Sequence, residues 1–83
     1  MTQVINTEVN VNSFYFRGRH GMKTFPRQIE WDNNFITFGE EVGLRYLIHR
    51  GKELVQLFDM NGADGLTYRL RQEGNRWTLV GTL

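Results

Sequence analysis

Residues 43–83 read GLRYLIHRGKELVQLFDMNGADGLTYRLRQEGNRWTLVGTL, and the alternation within them decides the fold. Gly51-Lys52 suits a two-residue primed turn, because glycine at the first central position accepts positive φ. That turn sets position 48 opposite 55 and predicts a hairpin of residues 44–50 against 53–59. Side chains alternate with period two along a strand and opposed residues point the same way, so Tyr46, Ile48, Val55 and Leu57 share a face. The next turn, residues 60–65, pairs 59 with 66 and adds Leu66, Tyr68 and Leu70 to that face. A last turn at Gly74-Asn75 sets 73 against 76 and adds Trp77, Leu79 and Leu83. The three registers agree on a four-stranded C-terminal meander with one apolar face. A one-residue slip would turn Arg45, His49, Arg69 and Arg71 inward, where unpaired charge costs several kcal/mol.

The other face of the meander presents Arg45, Leu47, His49, Leu54, Gln56, Phe58, Thr67, Arg69, Arg71, Thr78, Val80 and Thr82. Leu47, Leu54 and Phe58 form an apolar strip bordered by Arg45, Arg69 and Arg71, where a plain solvent face would be charged and threonine-rich. Those six residues are the candidate binding surface, unless the N-terminal strands or a loop cover it.

Outward from the meander, residues 4–11 alternate as a half-buried strand with Ile5, Thr7, Val9 and Val11 on one side. Asn12-Ser13 interrupts the pattern, predicting a bend and a further strand with Phe14 and Phe16 toward the core and Tyr15 and Arg17 away. Arg17-Gly18-Arg19-His20-Gly21 reads as a loop, the densest basic segment of the chain. Residues 23–31 are extended again, with Phe25, Ile29 and Trp31 on one face and Pro26 marking an edge or bulge. Asp32-Asn33-Asn34-Phe35 reads as a hairpin turn that sets Trp31 opposite Ile36 and Ile29 opposite Phe38. Residues 39–43, acidic and glycine-flanked, are expected to cross to the meander as a mobile loop. The expected core is Phe14, Phe16, Trp31, Tyr46, Ile48, Val55, Leu57, Tyr68, Leu70, Trp77 and Leu79.

No segment has helical periodicity of useful length. Six to seven short strands within 83 residues predict one all-β domain over 1–83, a small antiparallel barrel or curled sheet. In strand count and length it resembles SH3-like barrels, a likeness of size that transfers no function.

Ten Lys/Arg against nine Asp/Glu leave a net charge of +1, so bulk electrostatics favours no partner. The chain has no cysteine, which excludes a disulfide framework, a thiolate zinc site and a cysteine nucleophile. Stability rests on packing, supplied by six Phe, three Tyr and two Trp. The N-terminal sequence lacks the basic and apolar regions of a signal peptide, and no apolar run nears the ~20 residues of a membrane span. A cytoplasmic protein without membrane association is expected.

The catalytic inventory is thin: one serine, Ser13 at the expected bend, and two histidines, His20 and His49. Residues 59–64 have the oxygen-rich look of a calcium loop, but Asp64 stands where glycine is required and Leu70 where a bidentate glutamate is required. The sequence therefore predicts no enzyme, no metal, no cofactor and no evident small-molecule ligand. It predicts a binding module whose partner is another protein or a second copy. The alternative is a single-stranded nucleic-acid binder built on Tyr15, Arg17, Arg19 and His20, with Tyr15 stacking on bases and the arginines, Arg69 and Arg71 included, on phosphates.

Overall fold

The computed structural model describes residues 2–18 and 23–83, and the side chains of all of these except residues 40–42. Six strands follow in chain order: β1 (Gln3–Arg17), β2 (Lys23–Trp31), β3 (Asn34–Arg50), β4 (Glu53–Gly62), β5 (Thr67–Glu73) and β6 (Arg76–Thr82). Each is antiparallel to the next, and β6 pairs back onto β1 to close a barrel. The chain is thus all-β, a small single-domain barrel with the expected C-terminal meander of β3 to β6.

Closure depends on two long strands that each serve two neighbours. The first part of β1 pairs with β6 through Gln3 to Val9, and the rest with β2 from Asn10 to Arg17. Likewise β3 pairs with β2 from Asn34 to Thr37 and with β4 from Phe38 to Arg50. Such strands must bend, and bulges supply the bend. In β1 the register shifts on both sides of Ser13, so the expected break at Asn12-Ser13 is a bulge inside one strand. In β3 the shift lies between Phe38 and Gly43, so the expected mobile loop at 39–43 is instead the bent middle of a continuous strand.

Both two-residue turns of the meander fall where glycine permits them, with Gly51 and Gly74 at φ 62° and 60°. Asp32 and Asn33 take φ 53° and 60°, the type I′ pattern. That turn sits one residue earlier than expected, so Ile29 pairs with Ile36. A two-residue change of register keeps every side chain on its face.

The turn from β4 to β5 changes more. Thr67 pairs with Asn61, leaving five residues between the last paired positions. Asp59 therefore faces Arg69 and not Leu66, a three-residue shift, and an odd shift exchanges faces. Asp64 shapes this turn: its Oδ1 accepts the Leu66 N–H at 2.9 Å and its Oδ2 accepts the Tyr68 hydroxyl. Gly62 is required there, since a Cβ would stand 2.5 Å from Asp64 Oδ1 and 2.8 Å from the Tyr68 ring.

As a result Phe58 and Met60 point inward with Tyr68 and Leu70, and Tyr46, Ile48 and Leu57 point outward. The core holds Val9, Tyr15, Phe25, Ile29, Phe38, Phe58, Met60, Tyr68, Leu70, Trp77 and Leu79. Phe58 lies at its centre, edge-on to Phe25 at 5.9 Å and tilted against Trp77 at 5.1 Å. The bulges around Ser13 make the same exchange in β1. Tyr15 is buried, while Phe14 and Phe16, expected inside, are 44% and 64% exposed. Val55 is buried as expected, though outside the main core cluster.

Candidate functional site

The distal β3–β4 hairpin carries five of the eleven exposed large hydrophobic side chains among the described residues. Among the described residues, β3 pairs with β2 only through residues 34–37; residues 44–50 pair with β4 alone. Their other edge is open. Leu44, Tyr46, Leu47 and Ile48 on this edge strand are 51%, 45%, 56% and 41% exposed, and Leu54 across the hairpin is exposed as well. Leucine and isoleucine here protrude from both faces, because the hairpin extends past the body that would cover one of them.

On the outward face, cross-strand rows continue the hairpin into ion pairs. Tyr46 pairs with Leu57, Leu57 with Arg71 and Arg71 with Thr78. In the next row Leu44 faces Asp59 and Asp59 faces Arg69. Arg69 grips the buried Asp59 carboxylate with two bonds, Nε to Oδ1 at 2.8 Å and Nη2 to Oδ2 at 2.9 Å. The hydrogen bond to Asp59 raises the Arg69 guanidinium further above its ordinary value, against the opposing effect of burial. Arg71 Nε lies 2.9 Å from Glu73 Oε1 without the alignment of a hydrogen bond, so that contact is electrostatic and the buried Nε–H has no acceptor among the described residues.

On the inward face, Arg45, Gln56 and Gln72 lie in adjoining strands at the end of the barrel. Arg45 donates from Nε to Gln56 Oε1, Gln56 Nε2 donates to Gln72 Oε1 at 3.2 Å, and Gln72 Nε2 donates to the Gly74 carbonyl at 3.3 Å. This chain fixes the Arg45 head beside a cavity of about 390 Å³ lined by Phe14, Thr24, Arg45, Gln56, Gln72 and Trp77. A larger cleft of about 820 Å³ between the hairpin tip and the β5–β6 turn carries Glu8, Glu53, Glu73 and Arg76. Among the described residues no set of acidic or histidine side chains converges as a metal site.

The six residues of the expected binding surface are therefore divided. Arg45, Leu47 and Leu54 stay together on the inward side of the projecting hairpin, Arg69 and Arg71 lie on the outward side, and Phe58 is 1% exposed and belongs to the core. Phe58 cannot anchor a partner. Of the nucleic-acid set, Tyr15 is buried against Phe25 with its hydroxyl 3.4 Å from the Gly39 carbonyl and Arg27 over its ring, so it offers no stacking platform. Arg17 is exposed, and Arg19 and His20 lie outside the described residues. Arg69 and Arg71 each face a carboxylate of their own chain. Sequence reasoning missed Tyr46, Ile48 and Leu44 as surface residues and Phe14, Gln56, Gln72 and Trp77 as cavity walls. The signal for the first group was present: β3 is apolar at 46, 47 and 48, a run without alternation.

No helix among the described residues is long and apolar enough to cross a membrane. No protein-family model, curated protein or solved structure matches the chain.

Proposed function

We propose that the chain is a non-enzymatic binding module that recognises protein by strand addition at the open edge of β3, with a second copy of itself as the occupant. The observation that carries this reading is the edge over residues 44–50, unpaired among the described residues and apolar on both faces at Tyr46-Leu47-Ile48. A row of free N–H and C=O groups is a template for another strand, and soluble proteins ordinarily protect such an edge with charge, proline or a bulge. Here the middle of the edge is Tyr46-Leu47-Ile48. Backbone bonds would supply affinity, and the side chains on alternate faces specificity.

A second copy fits because the run is apolar about Leu47 as midpoint. Reversed on itself in an antiparallel pair, it sets Leu47 against Leu47 and Tyr46 against Ile48, with Arg45 opposite His49 at each end of that apolar centre. The arginines of the neighbouring strand are paired within the chain, Arg69 with Asp59 and Arg71 with Glu73, while Arg45, His49 and Arg50 flank the apolar run on the edge itself. Sedimentation over a rising concentration series is expected to show a monomer–dimer equilibrium. The double variant Tyr46→Lys, Leu47→Lys is expected to abolish the dimer and keep the β-sheet circular dichroism of the monomer. Amides of residues 44–50 are expected to gain hydrogen-exchange protection with concentration. A wild-type chain that stays monomeric at millimolar concentration refutes self-pairing.

A further inference from the structure

The seam that leaves β3 with an open edge also opens the end of the barrel, and the side chains there form a second, independent site. Among the described residues, β2 pairs with β3 only from Gln28 to Trp31, so Thr24 near the start of β2 faces Arg45 across a gap and not across a ladder. The gap is the cavity of about 390 Å³, within the range of about 300–1,000 Å³ typical of small-ligand sites.

Arg45 differs from the neighbouring arginines. Arg69, Arg71 and Arg76 stand within 4.0 Å of Asp59, Glu73 and Glu8, whereas no carboxylate among the described residues reaches Arg45. Its Nε is committed to Gln56. The guanidinium has five N–H donors in a rigid fork, so its two terminal nitrogens keep four that no described protein acceptor takes. A fork of this kind matches a carboxylate or phosphate in bidentate fashion. The Gln56–Gln72–Gly74 relay holds the head in place before a ligand arrives, and the Phe58 ring, 6.0 Å from Cζ, lies against it. Preorganisation of this sort lowers the ordering cost of binding.

The remaining wall is aromatic. Phe14 and Trp77 stand 5.9 Å apart at 51°, and Phe14, 44% exposed, lines the cavity beside it. Thr24 and Gln72 add polar groups at the rim. An arginine fork with no acid to neutralise it, facing an open aromatic ring inside one cavity, is complementary to a flat π-system that ends in an anion.

We propose that this cavity binds a small planar aromatic anion, its phosphate or carboxylate on Arg45 and its ring against Phe14 and Trp77. The test is titration of the full chain by calorimetry and by NMR with three probes: adenosine 5′-monophosphate, indole-3-acetate, and adenosine as the uncharged control. Saturable binding of at least one anion is expected, with the largest amide and indole shifts at Phe14, Arg45, Gln72 and Trp77. Adenosine and the Arg45→Gln variant are each expected to weaken binding by about tenfold or more, the loss of one charge-assisted hydrogen bond. Binding of the nucleotide alone identifies phosphate as the anion, and of the indole acid alone carboxylate. No saturation by either anion, shifts confined elsewhere in the wild-type chain, or adenosine binding as tightly as its phosphate overturns the proposal.

Discussion

Replacing Phe58 by leucine tests which face of β4 is the core. In the structure the ring is 1% exposed and pairs with two aromatic neighbours, Phe25 at 5.9 Å edge-on and Trp77 at 5.1 Å. Such pairs contribute about 0.5–1.5 kcal/mol each beyond area burial, so losing both costs about 1–3 kcal/mol. Alanine would add an unfilled cavity and raise the cost to about 3–5 kcal/mol. A chain of 83 residues has a total stability of about 4–12 kcal/mol, so leucine is the safer choice. The comparison is Leu57→Ala, one residue away, where the side chain is half-buried on the outside of the barrel. Full burial of leucine is worth about 1.5–3 kcal/mol, so partial burial forfeits about 1 kcal/mol. Urea unfolding followed by tryptophan fluorescence reads the difference. With a slope of about 1–2 kcal/mol per molar, Phe58→Leu is expected to lower the midpoint by about 1 M or more, and Leu57→Ala by less. A larger effect at Leu57 than at Phe58 would show that β4 is turned the other way and that the core is the one alternation alone predicts.

Asp59→Ala strips the buried acceptor from Arg69 and is expected to cost about 1.5–3 kcal/mol in the same assay. Adding Arg69→Met should recover part of that loss, since an apolar pair leaves no unpartnered charge; a double variant no more stable than Asp59→Ala counts against the pairing. Stability should also depend on pH at both extremes. Asp64 is held below its ordinary 3.8, chiefly by the Tyr68 hydroxyl and then by the Leu66 N–H, so its contribution is complete above 3.8 and is lost as pH falls through its folded-state value. Tyr68 is pushed up to about 12 from 10, first by burial and then by Asp64, so its contribution is complete below pH 10 and is lost as pH rises from there through about 12. Asp64→Asn should remove the acid limb and lower the Tyr68 tyrosinate midpoint only partway, because burial is the larger cause. A midpoint that does not move would show that the two side chains are not bonded.

How far the sequence could be read depends on where its turns are short. The two-residue turns at Gly51-Lys52 and Gly74-Asn75 each allow one pairing, and both pairings stand in the structure. The β4–β5 turn does not have that property. Its backbone is organised by a side chain, Asp64, and whether it holds an odd or an even number of residues decides which face of β4 is buried. Composition could not decide it, because β4 is apolar on both faces: Val55 and Leu57 on one, Leu54, Phe58 and Met60 on the other. The same ambiguity recurs at Phe14-Tyr15-Phe16, where the bulges around Ser13 set which aromatic faces inward. In β1 the wrong register buries no charge, and in β4 it turns inward Asp59, which is buried against Arg69 in the true register too, so the penalty for a slip discriminates little. Arg45 and His49 do lie on the core-facing side, and they escape the cost of burial because the hairpin there has passed the end of the barrel. The features that defeat a register argument are thus the ones that mark the site. A strand needs alternation only where one face is solvent and the other is core, and residues 46, 47 and 48 are apolar in succession although the other described residues leave each of them more than 40% exposed. An apolar run on an uncovered edge raises aggregation risk unless something occupies it, and that cost is the physical case for a partner strand on β3.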